Sequence, residues 1–251
     1  MEHADVDALC RLYDDTKMLG WDFSRLEGRL TADRPWWDFD RDCLAAMELA
    51  RWMVDLGTGG GERLTDLLAR LSATERTVVA TEGWDSNVPV AQDRLAPHGV
   101  DVLRYDAEQR DRMPFEDGTL DLVMSRHEAI DAVEIARVLN SGGRFLTQQV
   151  DGRDAGEIHE WFDEPYLYPK ITSECFINDL QAAGMHIDVV DDWQGTMTFT
   201  DVRALVTYLA LVPWDAPNFS VGDYADRLAE LDGQRPIHVT QRRFRVYATK
   251  L

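Results

Sequence analysis

The 251-residue chain is short of cysteine, of basic residues and of long apolar runs, and each shortage excludes something. Cys10, Cys43 and Cys175 are three in number and far apart, which speaks against a disulfide framework or a zinc site and for a reducing compartment. No stretch approaches the ~18 consecutive apolar residues of a membrane span. The acidic opening "MEHADVDALC" has the pattern of neither a secretory signal nor a transit peptide, so a cytoplasmic protein is expected. Lysine and arginine total 26 against 46 acidic residues, a net charge of −20. Nucleic-acid binders need a cationic footprint to displace counterions from phosphates, so no nucleic-acid partner is expected. Arg242, Arg243 and Arg245 near the C-terminus are read as rim charges.

A hydrophobic content of 45% is enough for a substantial core. Between residues 51 and 150, short apolar runs alternate with helical patterns. "RWMVDL" ends at a glycine loop, and "ERLTDLLARL" repeats leucine at helical spacing. "TVVATE", "VDVLRYD", "LDLVMS" and "RFLTQQV" are further strands, separated by the helices "NVPVAQDRLAPHG" and "DAVEIARVLNSGG". Strict alternation predicts a parallel sheet with helices on both faces. "ITSECFINDLQAAGM" predicts another helix, with "HIDVVDDW" and "RFRVYATKL" as sixth and seventh strands. Residues 1–50 and two stretches near 151–170 and 194–236 fall outside this rhythm and are rich in aromatic residues. The first is expected to be a helical lid segment and the others insertions in a main domain spanning 51–251.

"VDLGTGGGERL" places four glycines in five positions directly after a strand. Glycine weakens regular structure, so its concentration implies a tight turn and close approach of a ligand to bare backbone. A phosphate-binding P-loop would end in Gly-Lys-Ser/Thr, and the loop has no lysine. A dinucleotide fingerprint counted from Gly57 requires glycine where Glu62 stands, a carboxylate that opposes a pyrophosphate. The pattern present is Asp55, Gly57, Gly59 and Gly61. Further along, Glu82 closes the second strand, Asp106 follows the third, and "MPFEDGTLDLVMSRHEAI" leads into "EIARVLNSGGRFLTQQV".

Together these residues resemble the class I S-adenosylmethionine-dependent methyltransferases, most closely their small-molecule, type 11 branch, over residues 50 to 150. The resemblance implies a Rossmann-like, doubly wound, mostly parallel seven-stranded sheet and S-adenosylmethionine as cofactor. It implies cofactor contacts from Asp55, Gly57, Thr58, Gly59, Gly61, Glu82, Gly83, Asp106, Ala107 and Ser125, with Glu82 on the ribose hydroxyls and Asp106 toward the adenine amino group. A cofactor with an ammonium, a sulfonium and no phosphate suits acidic strand ends. Either strand-end acid, Asp55 or Glu82, is alternatively a helix cap, and Trp84 is either an adenine-stacking ring or a surface anchor.

Methyl transfer needs a base only where the acceptor atom must lose a proton. His127, just past the fourth strand, is the candidate, with a structural histidine as the alternative; His159 is a second, weaker one. Gln148 and Gln149 are unusual amides in a strand that should be apolar. Trp21, Phe23, Trp36, Trp37, Trp161, Tyr166, Tyr168 and Trp214 suggest either a cover over a mostly apolar acceptor pocket or the small core of the covering segments themselves. The expected activity is methyl transfer to oxygen or nitrogen of a small molecule by a monomer or homodimer, with no membrane partner. RNA methylation and a non-catalytic cofactor-binding module are the alternatives.

Overall fold

The computed structural model describes residues 3–18 and 23–251, so Trp21 lies outside the described residues. The elements in chain order are α1 (His3–Asp14), β1 (Leu30–Ala32), α2 (Phe39–Met47), β2 (Trp52–Leu56), α3 (Glu62–Arg70), β3 (Thr77–Glu82), α4 (Val88–Leu95) and β4 (Asp101–Arg104). They continue as β5 (Leu120–Arg126), α5 (Ala132–Val138), β6 (Leu139–Val150), α6 (Gly156–Trp161), α7 (Ser173–Ala182), β7 (Met185–Phe199), α8 (Val202–Leu211), α9 (Ala225–Gly233) and β8 (Ile237–Lys250).

The sheet runs in the order β1-β7-β8-β6-β5-β2-β3-β4. Parallel pairing joins β4 to β3, β3 to β2, β2 to β5 and β5 to β6. The chain leaves β2 outward through β3 and β4, then returns to start β5 on the other side of β2. This reversal creates the crevice in which open α/β sheets bind ligands, at the carboxyl ends of β2 and β5.

The described residues form eight strands, not the seven expected. The additional one, β1, pairs antiparallel with the far end of β7, Leu30 opposite Phe199 and Ala32 opposite Met197. Three residues are too few to show a period of two, and their strand character comes from the partner. The long strands also extend beyond their sequence signals: β7 runs on through "QGTMTF", and β8 begins at Ile237. The predicted helix "DAVEIARVLNSGG" stops at Val138, and β6 begins at the next residue. A register shift between Leu120 and Leu122 accommodates the glycine pair.

Two compact units divide the chain. One comprises Trp36–Val150, Ile171–Asp192 and Phe244–Leu251; the other comprises Met1–Pro35, Asp151–Lys170 and Trp193–Arg243. Residues 1–50, expected as one helical segment, are thus shared between the units and include β1. The first unit buries Val54, Leu56, Val123, Ile135, Phe145, Phe176, Phe244 and Val246 in its core. The second has its own core around α8, whose residues are buried on nearly every side, as a central helix should be. Phe162 and Phe219 meet edge to face at 4.7 Å within it, with Phe23, Trp161 and Trp214 packed against it. Tyr166 and Tyr168 remain exposed. No described helix is long and apolar enough to cross a membrane.

Candidate cofactor site

The strand β2 is buried from Met53 onward, as a central parallel strand must be, and ends in the glycine loop. Gly57, Gly59 and Gly61 have φ of 62°, 63° and 81°, the left-handed region that side chains resist. The loop is tied to β3 by the Thr58 N–H, which donates to the Thr81 carbonyl at 2.9 Å. Glu82 then reaches back: one carboxylate oxygen accepts from the Gly59 N–H at 2.7 Å and the other from the Trp84 N–H at 2.8 Å. Gly83 is required by close approach, since a Cβ there would stand 2.9 Å from the Tyr105 carbonyl and 3.1 Å from the Asp106 Cβ. The acids at the ends of β3 and β4 are thereby drawn to the same edge as the loop. Asp106 accepts from the Glu108 N–H at 2.9 Å and the Gln109 amide at 2.8 Å, and Ala107 behind it is buried.

Asp55 is buried and pairs with Arg63 at 3.2 Å. The same guanidinium holds Asp40 of α2 at 2.7 Å, donates to the Cys43 thiol at 3.1 Å and lies 5.0 Å from the Phe39 ring centroid. Burial pushes the Asp55 carboxyl above its ordinary range, while Arg63 pulls it down. Burial also raises the Cys43 thiol to about 12, so it is an inert packed thiol. Glu62 lies with its carboxylate against Gly60 and pairs with Arg94.

Ser125 lies near the end of β5, and His127 and Glu128 follow it directly. Ser125 lies beside Leu56 in the sheet and is fully buried, its hydroxyl without a hydrogen-bond partner among the described residues. His127 is exposed, with φ of 58° and its N–H donating to the Gln148 carbonyl at 2.9 Å. Its Nε2 lies 3.3 Å from the Gln148 amide nitrogen, and the Gln148 amide oxygen accepts from the Trp37 indole N–H at 2.7 Å. The indole only donates, which orients the Gln148 amide with its NH₂ toward His127. Gln149 donates to the Glu128 carbonyl at 2.9 Å and to the Thr147 hydroxyl at 2.8 Å. The two unusual amides thus brace the β5 exit. His159, by contrast, is buried in the other unit, 3.2 Å from the Glu164 carbonyl and stacked on Tyr166.

Sequence reasoning passed over two residues. Arg63 is one. Glu128 is the other: its side chain lies against Gly57, where any Cβ would collide with its carboxylate. Burial, reinforced by Glu82, Asp106 and Glu108, raises its carboxyl to about 7.

The donor set can be tested against a ligand. Five carboxylates (Asp55, Glu62, Glu82, Asp106 and Glu128) and a buried serine hydroxyl without a partner among the described residues border a loop without lysine, and the buried cation beside it, Arg63, is already paired. Such a site accommodates hydroxyls and positive charge and offers little to a pyrophosphate. A glycine loop at the reversal point of a doubly wound sheet, with acids closing the neighbouring strands, defines a class I S-adenosylmethionine-dependent methyltransferase fold. The family model described as "Methyltransferase domain", of type 11, matches residues 54–147, which are therefore a methyltransferase domain with S-adenosylmethionine as cofactor.

Solved structures agree on the fold. A functionally unknown protein from Deinococcus radiodurans R1 superposes with a TM-score of 0.61 at 14% identity, over 99% of this chain and 100% of that one. A SAM-dependent methyltransferase from Aquifex aeolicus gives 0.52 at 17%, over 100% of both chains. The [4+2]-cyclase SpnF gives 0.50 at 18%, over 98% of this chain and 93% of that one. No curated protein matches the chain.

Proposed function

We propose that the protein transfers the methyl group of S-adenosylmethionine to an oxygen or nitrogen of a small-molecule acceptor. The observation that carries this reading is the clasp between Glu82 and the Gly59 N–H, which ties the acid closing β3 to the glycine loop. When bound, the cofactor would supply an electrophilic methyl on a sulfonium, open to in-line attack by an acceptor lone pair with the neutral thioether as leaving group.

In this reading Glu82 accepts from the ribose hydroxyls with the lone pairs its backbone donors leave over, and Asp106 faces the adenine amino group. Asp55, Gly57, Thr58, Gly59, Gly61, Gly83, Ala107 and Ser125 complete the cofactor's surroundings. Most of the acceleration comes from holding the reactants in line and excluding water. For a hydroxyl acceptor, His127 takes the proton as the methyl–oxygen bond forms. The Gln148 amide donates to His127 Nε2 and occupies its lone pair, so Nε2 serves as the base only where the acceptor hydroxyl takes the amide's place.

SpnF, named for cyclisation, supports a second reading, a cofactor-binding fold turned to other chemistry. The overall charge of −20 supports a small-molecule acceptor over RNA. A screen of small hydroxyl and amine compounds with S-adenosylmethionine, read by mass spectrometry, separates these. Gain of one methyl group by an acceptor, with release of S-adenosylhomocysteine, is the expected result. Tight cofactor binding with no transfer to any acceptor class favours the second reading.

A further inference from the structure

Three carboxylates converge on the glycine loop, and they are not equally provided for. Glu82 has the backbone N–H groups of Gly59, Gly83 and Trp84, and Asp106 has a backbone N–H and a side-chain amide. Among the described residues Glu128 has only the Ala129 N–H of its own segment as a donor. Facing it are Glu82 from the end of β3 and Tyr105, Asp106 and Glu108 from the segment after β4. The loop Gly57–Gly61 contributes no titratable group, and Arg126 and His127 precede Glu128 on its own segment. Its backbone is nonetheless fixed, the carbonyl bonded to Gln149, which is itself braced on Thr147. A glutamate is thus held against the bare Cα of Gly57 among other acids, an arrangement that favours a positively charged ligand.

We infer that Glu128 is a charge-reading residue of the cofactor site, distinguishing the sulfonium of S-adenosylmethionine from the neutral thioether of S-adenosylhomocysteine. The inference rests on the cofactor assignment above. Because the carboxyl titrates near neutrality, a fraction of Glu128 carries a proton before the cation arrives. Cation binding favours the carboxylate, so that proton leaves to solvent, and affinity for the sulfonium rises with pH through this range. After methyl transfer the sulfonium charge is gone, Glu128 regains its proton, and the site's preference for the donor over the product aids release.

Calorimetry with S-adenosylmethionine and S-adenosylhomocysteine between about pH 6 and 8, in buffers of different ionisation enthalpy, reads the protons released on binding. Comparing wild type with Glu128→Gln cancels titration of the ligands' own amino group. Wild type should release more protons than Glu128→Gln on binding the sulfonium, and the variant should lose about tenfold of the donor-over-product preference. Equal proton release and equal preference in the two proteins would overturn the inference while leaving the cofactor assignment intact. If Glu128→Gln does not fold, Glu128→Asp serves in its place: it retains the charge and should retain proton release, and its loss with unchanged preference would equally overturn the inference. Failure of wild type to bind either ligand would remove the cofactor assignment and this inference with it.

Discussion

Arg63 stands where the loop, α2 and the buried end of β2 meet, and its guanidinium offsets two carboxylates, one of them almost fully buried. Removing one partner of such a pair leaves an uncompensated buried charge. Arg63→Leu is expected to cost roughly 3–5 kcal/mol in urea unfolding. The double variant Arg63→Leu/Asp55→Asn should recover part of that loss, because the orphaned carboxylate is then neutral. Glu82→Ala should weaken cofactor binding roughly 10–100-fold by calorimetry, through the ribose contacts and the Gly59 clasp together. On a hydroxyl acceptor, His127→Ala should lower turnover by roughly 10²–10⁴-fold with cofactor affinity nearly kept. Full turnover in that variant would remove the base role. Residues of this kind differ in how far sequence betrays them. Asp55 and Glu82 are readable because each ends an apolar run beside a glycine. Arg63 and Glu128 are not, since their surroundings are supplied by α2 and by Gly57, remote in sequence.

At the scale of elements, the site depends on how tightly the loops after β3 and β4 approach. Gly83→Ala forces a Cβ against the Tyr105 carbonyl, and backbone must shift to admit it. The variant should lose about 1–3 kcal/mol in thermal or urea unfolding. It should also bind the cofactor more weakly, because Asp106 is displaced; unchanged stability and affinity would mean the loops have slack. The alternation of strands and helices between residues 51 and 150 was legible because each element is long enough to show its own period. Pairing obscured the rest. The strand β1 exists only through β7, the far end of β7 lies in the aromatic-rich stretch near 194–236, and β8 opens on "IHVTQR", ahead of its apolar signal. Phe162 and Phe219, read as part of irregular insertions, build the hydrophobic core around α8.

At the scale of the whole molecule, charge governs pH and salt behaviour. Asp215 is half-buried with the Tyr208 hydroxyl donating to it at 2.7 Å, and desolvation with nearby Asp154 raises its carboxyl to about 7. An acid whose folded-state value exceeds its unfolded one (about 4) stabilises the fold at low pH. That contribution is full below about pH 4 and is lost as pH rises from there through 7. The melting temperature should therefore decline between about pH 4 and 7, and Asp215→Asn should flatten the slope. An unchanged slope would show that Asp215 is ionised throughout. Arg243 pairs with Asp154, and Arg245 pairs with Asp42 and Asp191, so these two C-terminal arginines are already neutralised. Binding to RNA that weakens steeply with salt would contradict the small-molecule reading.

The most direct measurement is a calorimetric titration of the wild-type protein with S-adenosylmethionine, S-adenosylhomocysteine, NAD and ATP under one set of conditions. The acidic, lysine-free loop predicts saturable binding of the first two and none of comparable strength for NAD or ATP. Tighter binding of either phosphate-bearing nucleotide, or no binding of S-adenosylmethionine, would contradict the account.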